Sequence, residues 1–600
     1  MSKKIKGSYL LNAVGVALVF ALLTGLFAAN AFGTSTTYIQ GICTTACYTI
    51  IMVTSLNLVV GFMGEFSLGH AGFVSVGAYV SAIVSGALAG KGLSDLGLFL
   101  IALLVGGLAA GIMGVLVGIP ALRLRGDYLA IVTMAFAEII RVCFCNFSIT
   151  GGGKTMSGIL KLSTFPRVFW IMVVCVTIMY LFVRSKYGRT VQAIREDYIA
   201  ASASGINVTY YKVMIFAISA FFAGIGGGIY AHYMTAMIPT NFNFNYSAEL
   251  LSEVIIGGTG SLTGSIIGAA FLSALPELMR EFSTYRMLAY SVVLVLVMLF
   301  RPGGIFGRWE FSLTRALEKL TGRGTVKAKA GKGALTMAQP VLKCQHLGIQ
   351  FGGLKAVDDF NMEIGESELV GLIGPNGAGK TTVFNLITGV YKPTEGSLYL
   401  NGERMNGKKT HQIVHAGIAR TFQNIRLFKK MTVIENVKAA MLEELTYNMP
   451  QAIFRTKAYW QQEAAATARA KELLQVVHLS DKEDLEADNL PYGEQRRLEI
   501  ARALATNMKL LLLDEPAAGM NPTETEELLE IIDYIRSEFK VSVLLIEHDM
   551  SLVMKICERI QVLDFGTTIA SGTPAKIAND PHVIEAYLGK DKEEEAETDA

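Results

Sequence analysis

Long apolar segments separated by short polar connections follow one another from Tyr9 to Phe300. Many of these segments are close to the ~20 residues that an α-helix needs to cross the hydrocarbon core of a membrane. The pattern therefore predicts membrane-spanning helices over residues 9–32, 38–63, 71–90, 97–122, 128–147, 168–183, 212–233 and 287–300.

One further region, residues 247–279, is too long for a single simple helix and is interrupted by GGTGSLTG at 257–264. We expect it to enter and leave the membrane as two segments or as a re-entrant hairpin, which gives about ten membrane-inserted segments. A second glycine-interrupted stretch, GFMGEFSLGHAGF at 61–73, lies at a comparable place in the other half of this region. The pair is typical of an inverted-repeat α-helical membrane domain, although close helix packing explains the small residues equally well.

Basic residues indicate the orientation, because they accumulate on the cytoplasmic side of a membrane. If the spans alternate, one side receives Lys3, Lys4, Lys6, Arg123, Arg125, Arg184, Lys186, Arg189 and Arg195. We therefore predict a multi-pass protein of the plasma or inner cell membrane, in contact with lipid, whose C-terminal half is cytoplasmic.

The amino-acid composition of the chain changes after this membrane domain, which we place at residues 1–308. Residues 309–340 are rich in Lys, Gly, Ala and Thr and are expected to form a flexible linker. From 341 to 590, short β-branched runs such as ELVGLIG and VSVLLIE alternate with helical patterns, which predicts an α/β domain. An acidic tail, DKEEEAETDA, occupies 591–600.

Composition supports this division. Of the 600 residues, 52% are hydrophobic and only 17% are charged, so part of the chain is expected in lipid. The formal net charge of +2 is too small to indicate a nucleic-acid partner. The seven cysteines have no spacing suited to zinc or to a disulfide framework, and we interpret them as small apolar residues.

A phosphate-binding loop, GPNGAGKTT, follows the apolar strand that precedes Gly374. Its glycines allow a tight turn that aims backbone N–H groups at phosphate oxygens, and the next helix adds the positive end of its dipole. Lys380 is expected to contact the β- and γ-phosphates of ATP, and Thr381 to bind Mg²⁺. The predicted nucleotide contacts here are Gly374, Asn376, Gly377, Gly379, Lys380, Thr381 and Thr382.

The second element is LLLLDEP at 510–516, an apolar strand that ends in two acids. Asp514 is placed to hold Mg²⁺ through water, and Glu515 to orient and deprotonate an attacking water. In isolation the same pattern also fits a buried strand with capping acids. Beside a phosphate-binding loop, the catalytic interpretation is favoured.

With these two elements in place, the C-terminal half resembles the ATPases of ABC transporters. The resemblance implies that Phe351 stacks on adenine, that Gln423 in RTFQNIRLF senses Mg²⁺ and contacts the permease, and that His548 contacts the γ-phosphate. Glu515, His548 and Gln423 are thus the predicted catalytic residues, and Thr381, Asp514 and Gln423 the predicted Mg²⁺ site.

The signature motif departs from the family pattern. Where most relatives read LSGGQ, this chain reads LPYGE at 490–494. Pro491 thus stands in place of a serine whose hydroxyl would bind the γ-phosphate. Gly493, with Gln495 beside it, is left to contact ATP. A substituted signature motif of this kind resembles that of the ATPases of branched-chain amino-acid transporters. The segments AAGMNP at 517–522 and VIEAYLG near the C-terminus resemble the same ATPases. These ATPases act in head-to-tail pairs, which implies a second copy, either of this chain or of a separate permease and ATPase.

The membrane half is similar to the permeases of the same uptake systems, in SLNLVVGFMGEFSLGHAGF, PALRLRGDYLAIVTMAFAEIIR and SLTGSIIGAAFLSALPEL. YGRTVQAIREDYIAASASGIN at 187–207 resembles the coupling loop of ABC importers. Ala200 and Ala201 can seat closely in a groove and Gly205 can end the helix in a left-handed conformation, although Ile199 stands where many importers have glutamate.

Ionisable residues in or near membrane segments are costly and often functional. Glu65, His70 and Glu138, together with Glu249 and Glu253, are therefore candidates for a substrate path.

These resemblances imply ATP-driven import of branched-chain or related amino acids, with ATP and Mg²⁺ as cofactors and a separate extracytoplasmic binding protein as a partner. ABC importers of urea or short amides have motifs very similar to these, so import of urea or short amides stays an open alternative. An ABC exporter, or an ABC ATPase that regulates and is merely anchored by its membrane half, is a less favoured alternative.

Overall fold

The computed structural model describes residues 3–29, 31, 35–122, 124, 126–278, 286–301, 303–307 and 340–588. The acidic tail at 591–600 and all but the last residue of the predicted linker at 309–340 lie outside these residues, as do Arg123 and Arg125.

The chain forms two compact units, each built from more than one stretch of sequence. The first comprises Met1–Arg195, Thr209–Val326 and Met449–Arg455, and the second comprises Glu196–Val208, Lys327–Asn448 and Thr456–Ala600. Each unit therefore includes a short piece of the other half of the sequence.

Helices make up most of the first unit. They are α1 (Lys3–Ala28), α2 (Thr36–Asn57), α3 (His70–Leu88), α4 (Asp95–Ala121), α5 (Asp127–Asn146), α6 (Phe165–Val183), α7 (Lys186–Glu196), α9 (Val208–Met234), α10 (Phe244–Gly257), α11 (Leu262–Leu278) and α12 (Arg286–Phe300). A π-helical turn, Leu58–Met63, continues α2, and a two-residue ladder joins β1 (Met156–Ser157) to β2 (Ala236–Met237). Among the described residues, six helices are long and apolar enough to cross a membrane, so the protein is membrane-embedded.

Small residues set how closely these helices pack. A Cβ added at Gly106 of α4 would lie 2.7 Å from the carbonyl oxygen of Gly77 in α3, and one at Gly227 of α9 would lie 2.1 Å from the carbonyl oxygen of Val74. Real side chains do not approach so closely, so glycine is required at these crossings.

The two glycine-interrupted stretches meet. A Cβ on Gly61, in the π-helical turn, would lie 2.3 Å from the backbone nitrogen of Gly260, in the break between α10 and α11. Asn57 holds this junction: it accepts from the Gly260 N–H at 3.0 Å and donates to the Ser261 carbonyl at 2.9 Å and the Ser265 hydroxyl at 2.7 Å. Within residues 247–278 the structure has two helices, α10 and α11, separated by this glycine-rich break. That they enter and leave the membrane, as two segments or as a re-entrant hairpin, stays a prediction.

The second unit contains two sheets. Its strands are β3 (Leu342–Phe351), β4 (Leu354–Ile364), β5 (Leu369–Ile373), β6 (Glu395–Leu400), β7 (Glu403–Arg404), β8 (Ile418–Arg420), β9 (Leu510–Asp514), β10 (Ser542–Ile546), β11 (Arg559–Asp564) and β12 (Thr567–Gly572). An antiparallel sheet has the order β4-β3-β6-β7, and a second sheet has the order β12-β11-β5-β10-β9-β8. In the second sheet only β12 is antiparallel to its neighbour.

Helices surround these sheets. They are α8 (Tyr198–Ala203), α13 (Lys380–Ile387), α14 (Thr410–Ala416), α15 (Val433–Ala440), α17 (Lys457–Val476), α18 (Tyr492–Leu504), α19 (Pro522–Phe539), α20 (Met550–Ile556), α21 (Pro574–Ile577) and α22 (Pro581–Leu588), while α16 (Met449–Ile453) belongs to the first unit.

Strands β5, β9 and β10 are buried along their whole length, as expected for parallel strands covered on both faces. Val543 of β10 pairs with Leu369 of β5 on one side and with Leu511 of β9 on the other. Because these strands are parallel, their carboxyl ends meet at one edge of the sheet. The segments that follow β5, β8, β9 and β10 therefore come together there.

Candidate functional site

The phosphate-binding loop joins the carboxyl end of β5 to α13. Gly379 immediately precedes α13 at φ +99°, and a Cβ there would lie 2.7 Å from the carbonyl oxygen of Ala356. Lys380, only 7% exposed, donates to the carbonyl oxygens of Gly374 at 2.6 Å and Pro375 at 2.9 Å. Burial lowers the pKa of Lys380, while Glu515 and Asp514 favour its charged form. The loop thus presents a helix N-terminus and a cation to an incoming phosphate.

The other predicted contacts of this loop are Asn376, Gly377, Thr381 and Thr382. Asn376 and Gly377 are exposed, Thr381 is exposed in the first turn of α13, and Thr382 is half-buried. Thr381 is therefore accessible to a ligand.

Asp514 ends β9 and is almost fully buried. Its Oδ2 accepts from Nη2 of Arg420, at the end of β8, at 2.7 Å, and their side chains are 3% and 7% exposed. The same guanidinium donates to Oδ1 of Asn385 at 2.6 Å. Sequence reasoning missed Arg420, since the sequence separates it from Asp514 by 94 residues and only strand pairing places them together.

Glu515 lies between the two other predicted catalytic side chains. Its Oε2 accepts from Nε2 of Gln423 at 2.9 Å, and its Oε1 lies 2.9 Å from Nε2 of His548. Glu515 has φ +48°, an uncommon backbone conformation for a non-glycine residue. The structure therefore brings Gln423, Glu515 and His548 into one hydrogen-bonded group at the sheet edge.

Glu547 organises this group although the sequence did not single it out. Its Oε1 accepts from the Ala517 N–H at 2.8 Å and its Oε2 from the His548 N–H at 3.1 Å, so it ties the turn after Glu515 to the segment after β10. Burial raises the pKa of Glu547. Its place directly after the strand VSVLLI was the available signal.

Three oxygen donors suit a magnesium ion here: the Asp514 carboxylate, the exposed Thr381 hydroxyl and the exposed amide of Gln423. Carboxylate, hydroxyl and carbonyl oxygens are the ligands that Mg²⁺ prefers. The donor set fits the ion.

A buried charge cluster lies behind the site. Arg496 of α18 is fully buried and donates to the Gln423 carbonyl at 2.8 Å, to Glu499 Oε2 at 2.9 Å and to the Glu515 carbonyl at 3.4 Å. Glu499 Oε1 in turn accepts from the N–H groups of Phe422 at 3.4 Å and Arg426 at 3.3 Å. Burial raises the pKa of Glu499, while Arg496 and Arg502 oppose that rise. The cluster fixes the segment that carries Gln423.

The signature residues form the start of α18. Pro491 precedes the helix and Gln495 donates to the Leu490 carbonyl at 2.9 Å. Gly493 is buried, and a Cβ there would lie 2.8 Å from Oε1 of Glu524 in α19. Replacement of Gly493 by any other residue would therefore displace Glu524.

Phe351, the predicted adenine contact, ends β3 and is 46% exposed. Its ring meets Tyr391 edge to face, with centroids 5.2 Å apart. Tyr391 was not identified from the sequence. Its ring contact holds one edge of the exposed Phe351 ring.

Residues 196–207 of the predicted coupling loop lie in the second unit. Ala200 and Ala201 are fully buried. Gly205 has φ +84°, as expected for a left-handed helix end, and a Cβ there would lie 3.0 Å from the ring of His415 in the last turn of α14. The small residues of this loop therefore permit its close packing against α14.

Asp197 begins α8 and joins it to the segment after Gln423. Its Oδ1 accepts from the N–H groups of Ile199 at 2.8 Å and Ala200 at 2.9 Å, which caps the helix. Its Oδ2 accepts from Nη1 of Arg426 at 2.8 Å. Sequence reasoning emphasised the missing glutamate at Ile199 and overlooked this neighbouring acid.

The candidate path residues lie in the first unit, and three of them have a protein partner. Glu65 forms an ion pair with Lys212, His70 Nε2 lies 2.9 Å from the Ser55 hydroxyl, and Glu138 pairs with Arg141 at 2.7 Å. Glu253 of α10 is 4% exposed, and its Oε2 has no hydrogen-bond partner among the described residues. A role of any of them in a substrate path stays a prediction.

Three families match successive parts of the chain. "Branched-chain amino acid transport system / permease component" matches residues 38–301 and "ABC transporter" matches 357–518. "Branched-chain amino acid ATP-binding cassette transporter" matches 567–593. Permease and ATPase families thus follow each other in one chain.

Individual proteins are similar to the C-terminal half. The high-affinity branched-chain amino acid transport ATP-binding protein BraF of Pseudomonas aeruginosa is 48% identical over 254 residues, which are 42% of this chain and 100% of BraF. The corresponding LivG of Escherichia coli has the same identity and coverage. A solved ATP-binding cassette of an ABC transporter in its ADP conformation is 31% identical, with a TM-score of 0.37, over 42% of this chain and 100% of that chain.

The match over the full length of relatives with 48% identity, preceded by the permease match, identifies the family. The chain belongs to the branched-chain amino-acid ABC transporters, with permease and ATPase in one polypeptide.

Proposed function

We propose that this protein uses ATP hydrolysis to import branched-chain or related amino acids across the cell membrane, with its ATPase half in the cytoplasm. The observation that carries the proposal is the meeting of Lys380, Asp514 and Glu515 at the edge of the sheet, in the unit that also holds the coupling residues 196–208. The permease match at 38–301 supports membrane transport, and the full-length ATPase relatives support the solute class.

ATP is held by the phosphate-binding loop and by the ring of Phe351. Lys380 offers its charge to the β- and γ-phosphates, and the N-terminus of α13 adds backbone N–H groups. Asp514, Thr381 and Gln423 would hold Mg²⁺, which supplies neutralisation of developing phosphate charge when bound.

Glu515 is the general base of hydrolysis. It orients a water for attack on the γ-phosphorus and accepts the proton of that water, while the bond to the β,γ-bridging oxygen breaks and releases ADP and phosphate. His548 and Gln423, each 2.9 Å from a Glu515 carboxylate oxygen, hold that carboxylate in place. His548 also contacts the γ-phosphate once ATP is bound.

A complete site needs a second ATPase. Gly493 and Gln495 at the start of α18 are proposed to face the phosphate-binding loop of that partner, so the chain pairs with itself or with a separate permease and ATPase. An extracytoplasmic binding protein delivers the solute.

The test is reconstitution of the purified chain in proteoliposomes, with and without candidate partner subunits and binding proteins. ATP turnover and the uptake of radiolabelled leucine, isoleucine, valine, urea and acetamide are measured for wild type and Glu515→Gln. We expect uptake of the branched-chain amino acids that requires ATP, and about a 100-fold or larger loss of turnover in Glu515→Gln with ATP binding retained.

ATP-dependent uptake of urea or acetamide without uptake of the amino acids would favour the alternative importer. Solute-dependent ATP turnover with movement in the opposite direction would refute import.

A further inference from the structure

The first unit contains a short segment from the ATPase half of the sequence. Residues 449–455, MPQAIFR, belong to it, whereas the residues on either side, Asn448 and Thr456, belong to the second unit. The exchange is reciprocal, because residues 196–208 of the permease half lie in the second unit. The family features described above account for residues 196–208 but not for 449–455.

This segment packs against the C-terminal part of α6. Its helix, α16, contacts α6, and Met449 packs against the apolar core of the first unit. Ala452, one residue before the end of α16, is fully buried. A small buried residue beside a membrane helix permits close approach of the two backbones.

Arg455 makes the directional contact. Its Nη2 donates to the carbonyl oxygen of Leu181 at 3.1 Å, in the last turn of α6. Carbonyls in the last turn of a helix have no partner within the helix, and they carry the negative end of the helix dipole. An arginine that donates to one of them is therefore favoured by both hydrogen bonding and charge.

The backbone at Arg455 is consistent with a residue held by its contacts. Arg455 has φ +48°, a left-handed conformation that costs a non-glycine residue about 1 kcal/mol or more and persists where surrounding contacts determine it.

The same stretch of the permease half is held at its other end. From Leu181 the chain continues through the end of α6 and through α7 to Asp197, which binds Arg426 at 2.8 Å. Arginines of the ATPase half thus bind both ends of residues 181–197, one in each unit.

We propose that residues 449–455 are a second docking element of the ATPase half, whose binding partner is the C-terminal end of the permease helix Phe165–Val183. Arg455 and Arg426 then hold α7 at both ends, so that displacement of the ATPase is transmitted to α6 as well as to the coupling helix α8. The inference rests on the proposed function only for the source of the displacement; the docking itself does not depend on the solute.

The test measures how firmly the ATPase half stays attached to the membrane half in the full chain. A protease site is placed in the predicted linker, between residues 310 and 338, and the protein is reconstituted in proteoliposomes before cleavage. The fraction of ATPase fragment that remains with the liposomes is followed over time after a salt wash. Variants are Arg455→Ala, Arg455→Lys, Arg426→Ala and the double variant Arg455→Ala with Arg426→Ala.

We expect Arg455→Ala to release the fragment about tenfold faster than wild type, because a hydrogen bond to a charged group is lost. Arg455→Lys keeps the charge near the helix end and should restore part of the retention, and the double variant should release the fragment faster than either single variant. Arg469→Ala removes a half-buried arginine that pairs with Glu472 at 3.3 Å and lies over the ring of Phe539, and it serves as the control.

Binding of a fluorescent ATP analogue and thermal unfolding are measured on each uncleaved variant, so that a misfolded ATPase half is recognised. Release of Arg455→Ala at the wild-type rate, or as slowly as Arg469→Ala, would overturn the proposal. Rapid release of the wild-type fragment would also overturn it. Because retention requires neither solute nor hydrolysis, its failure is distinguishable from a failure of transport in the Glu515→Gln comparison.

Discussion

Replacing Arg420 by alanine should destabilise the ATPase half strongly. The change leaves the Asp514 carboxylate, whose side chain is 3% exposed, at the end of β9 without the guanidinium that lies 2.7 Å away. Arg420 also contacts the rings of Phe384 and Phe422 through its cationic group, at 5.4 Å from each centroid, so packing is lost together with charge.

The magnitude follows from the geometry. At the N–O distance of 2.7 Å and an effective dielectric constant near 20, the attraction amounts to about 6 kcal/mol before desolvation is subtracted. Removal of one partner from a buried pair costs about 3–5 kcal/mol, since the other charge stays buried without compensation. For a domain of this size, each kcal/mol lowers the midpoint of thermal unfolding by about 2–4 °C, so we expect a decrease of roughly 6–20 °C.

Differential scanning calorimetry of the full chain in detergent provides the assay. The transition that ATP shifts to higher temperature belongs to the ATPase half. Arg469→Ala again gives the control, because its partly exposed pair with Glu472 lies within one helix, and such pairs contribute only about 0–1 kcal/mol. A double-mutant cycle with Asp514→Asn separates the pair from other effects of the arginine, and the double variant should be less destabilised than the sum of the single variants.

A stabilising role of the Arg420–Asp514 pair would be refuted if Arg420→Ala lowered the midpoint no more than Arg469→Ala does. Strict additivity with Asp514→Asn would equally show that the two groups do not interact.

Other predictions concern single side chains. Lys380→Ala should weaken ATP binding about 10- to 100-fold, measured by equilibrium titration of a fluorescent analogue, and equal affinity of variant and wild type would contradict the phosphate assignment. Burial raises the folded-state pKa of Glu547 above its unfolded value, so the fold loses stability as pH rises from the unfolded pKa to the folded one. The midpoint of thermal unfolding of wild type minus that of Glu547→Gln should therefore increase when the pH is lowered from 8 to 5. A difference that does not change with pH would contradict this. Burial raises the pKa of Cys344 and of Cys557 to about 12, so N-ethylmaleimide should modify them in the denatured chain but not in the native one, as peptide mass spectrometry would detect.

Much of the fold could be predicted from the sequence, because local signals set most of its elements. The apolar segment predicted at 97–122 became Asp95–Ala121, with Ser94 accepting from the Gly97 N–H at 3.2 Å to cap it. The glycine-rich break after Gly257 likewise marked the end of one helix and the start of another. Periodicity and glycine act over a few residues, so they are visible in one sequence.

The exchange of short segments between units could not be predicted in the same way. Nothing local in MPQAIFR distinguishes a helix that packs against a membrane span from any short surface helix. Its partner, Leu181, is 274 residues away in the sequence, and the contact uses a backbone carbonyl that carries no sequence signal.

The site shows the same division between local and distant information. Motifs place Lys380, Asp514 and Glu515 because each follows a strand with a recognisable pattern. Arg420 and Glu499 were missed because their roles depend on partners in other elements: Arg420 binds the end of β9, and Glu499 binds the backbone after β8. For Arg420, a charged residue at the end of a short apolar strand was the signal available. Glu499 is one of several charged residues of α18 and had no such signal.

The buried charged side chains behind the site suggest how an event at the nucleotide could affect α8, the predicted coupling helix. Arg496 binds the carbonyls of both Gln423 and Glu515, so the backbone at Glu515 cannot move independently of the segment that starts at Gln423. Glu499 binds the N–H of Arg426 at the other end of that segment, and the Arg426 side chain binds Asp197. Because Arg496 and Glu499 are both almost fully buried, their hydrogen bonds are costly to break, and displacement of this segment as one body is favoured over local rearrangement. We therefore expect a change in how Glu515 is held to be carried to the cap of α8 through two buried side chains and one ion pair.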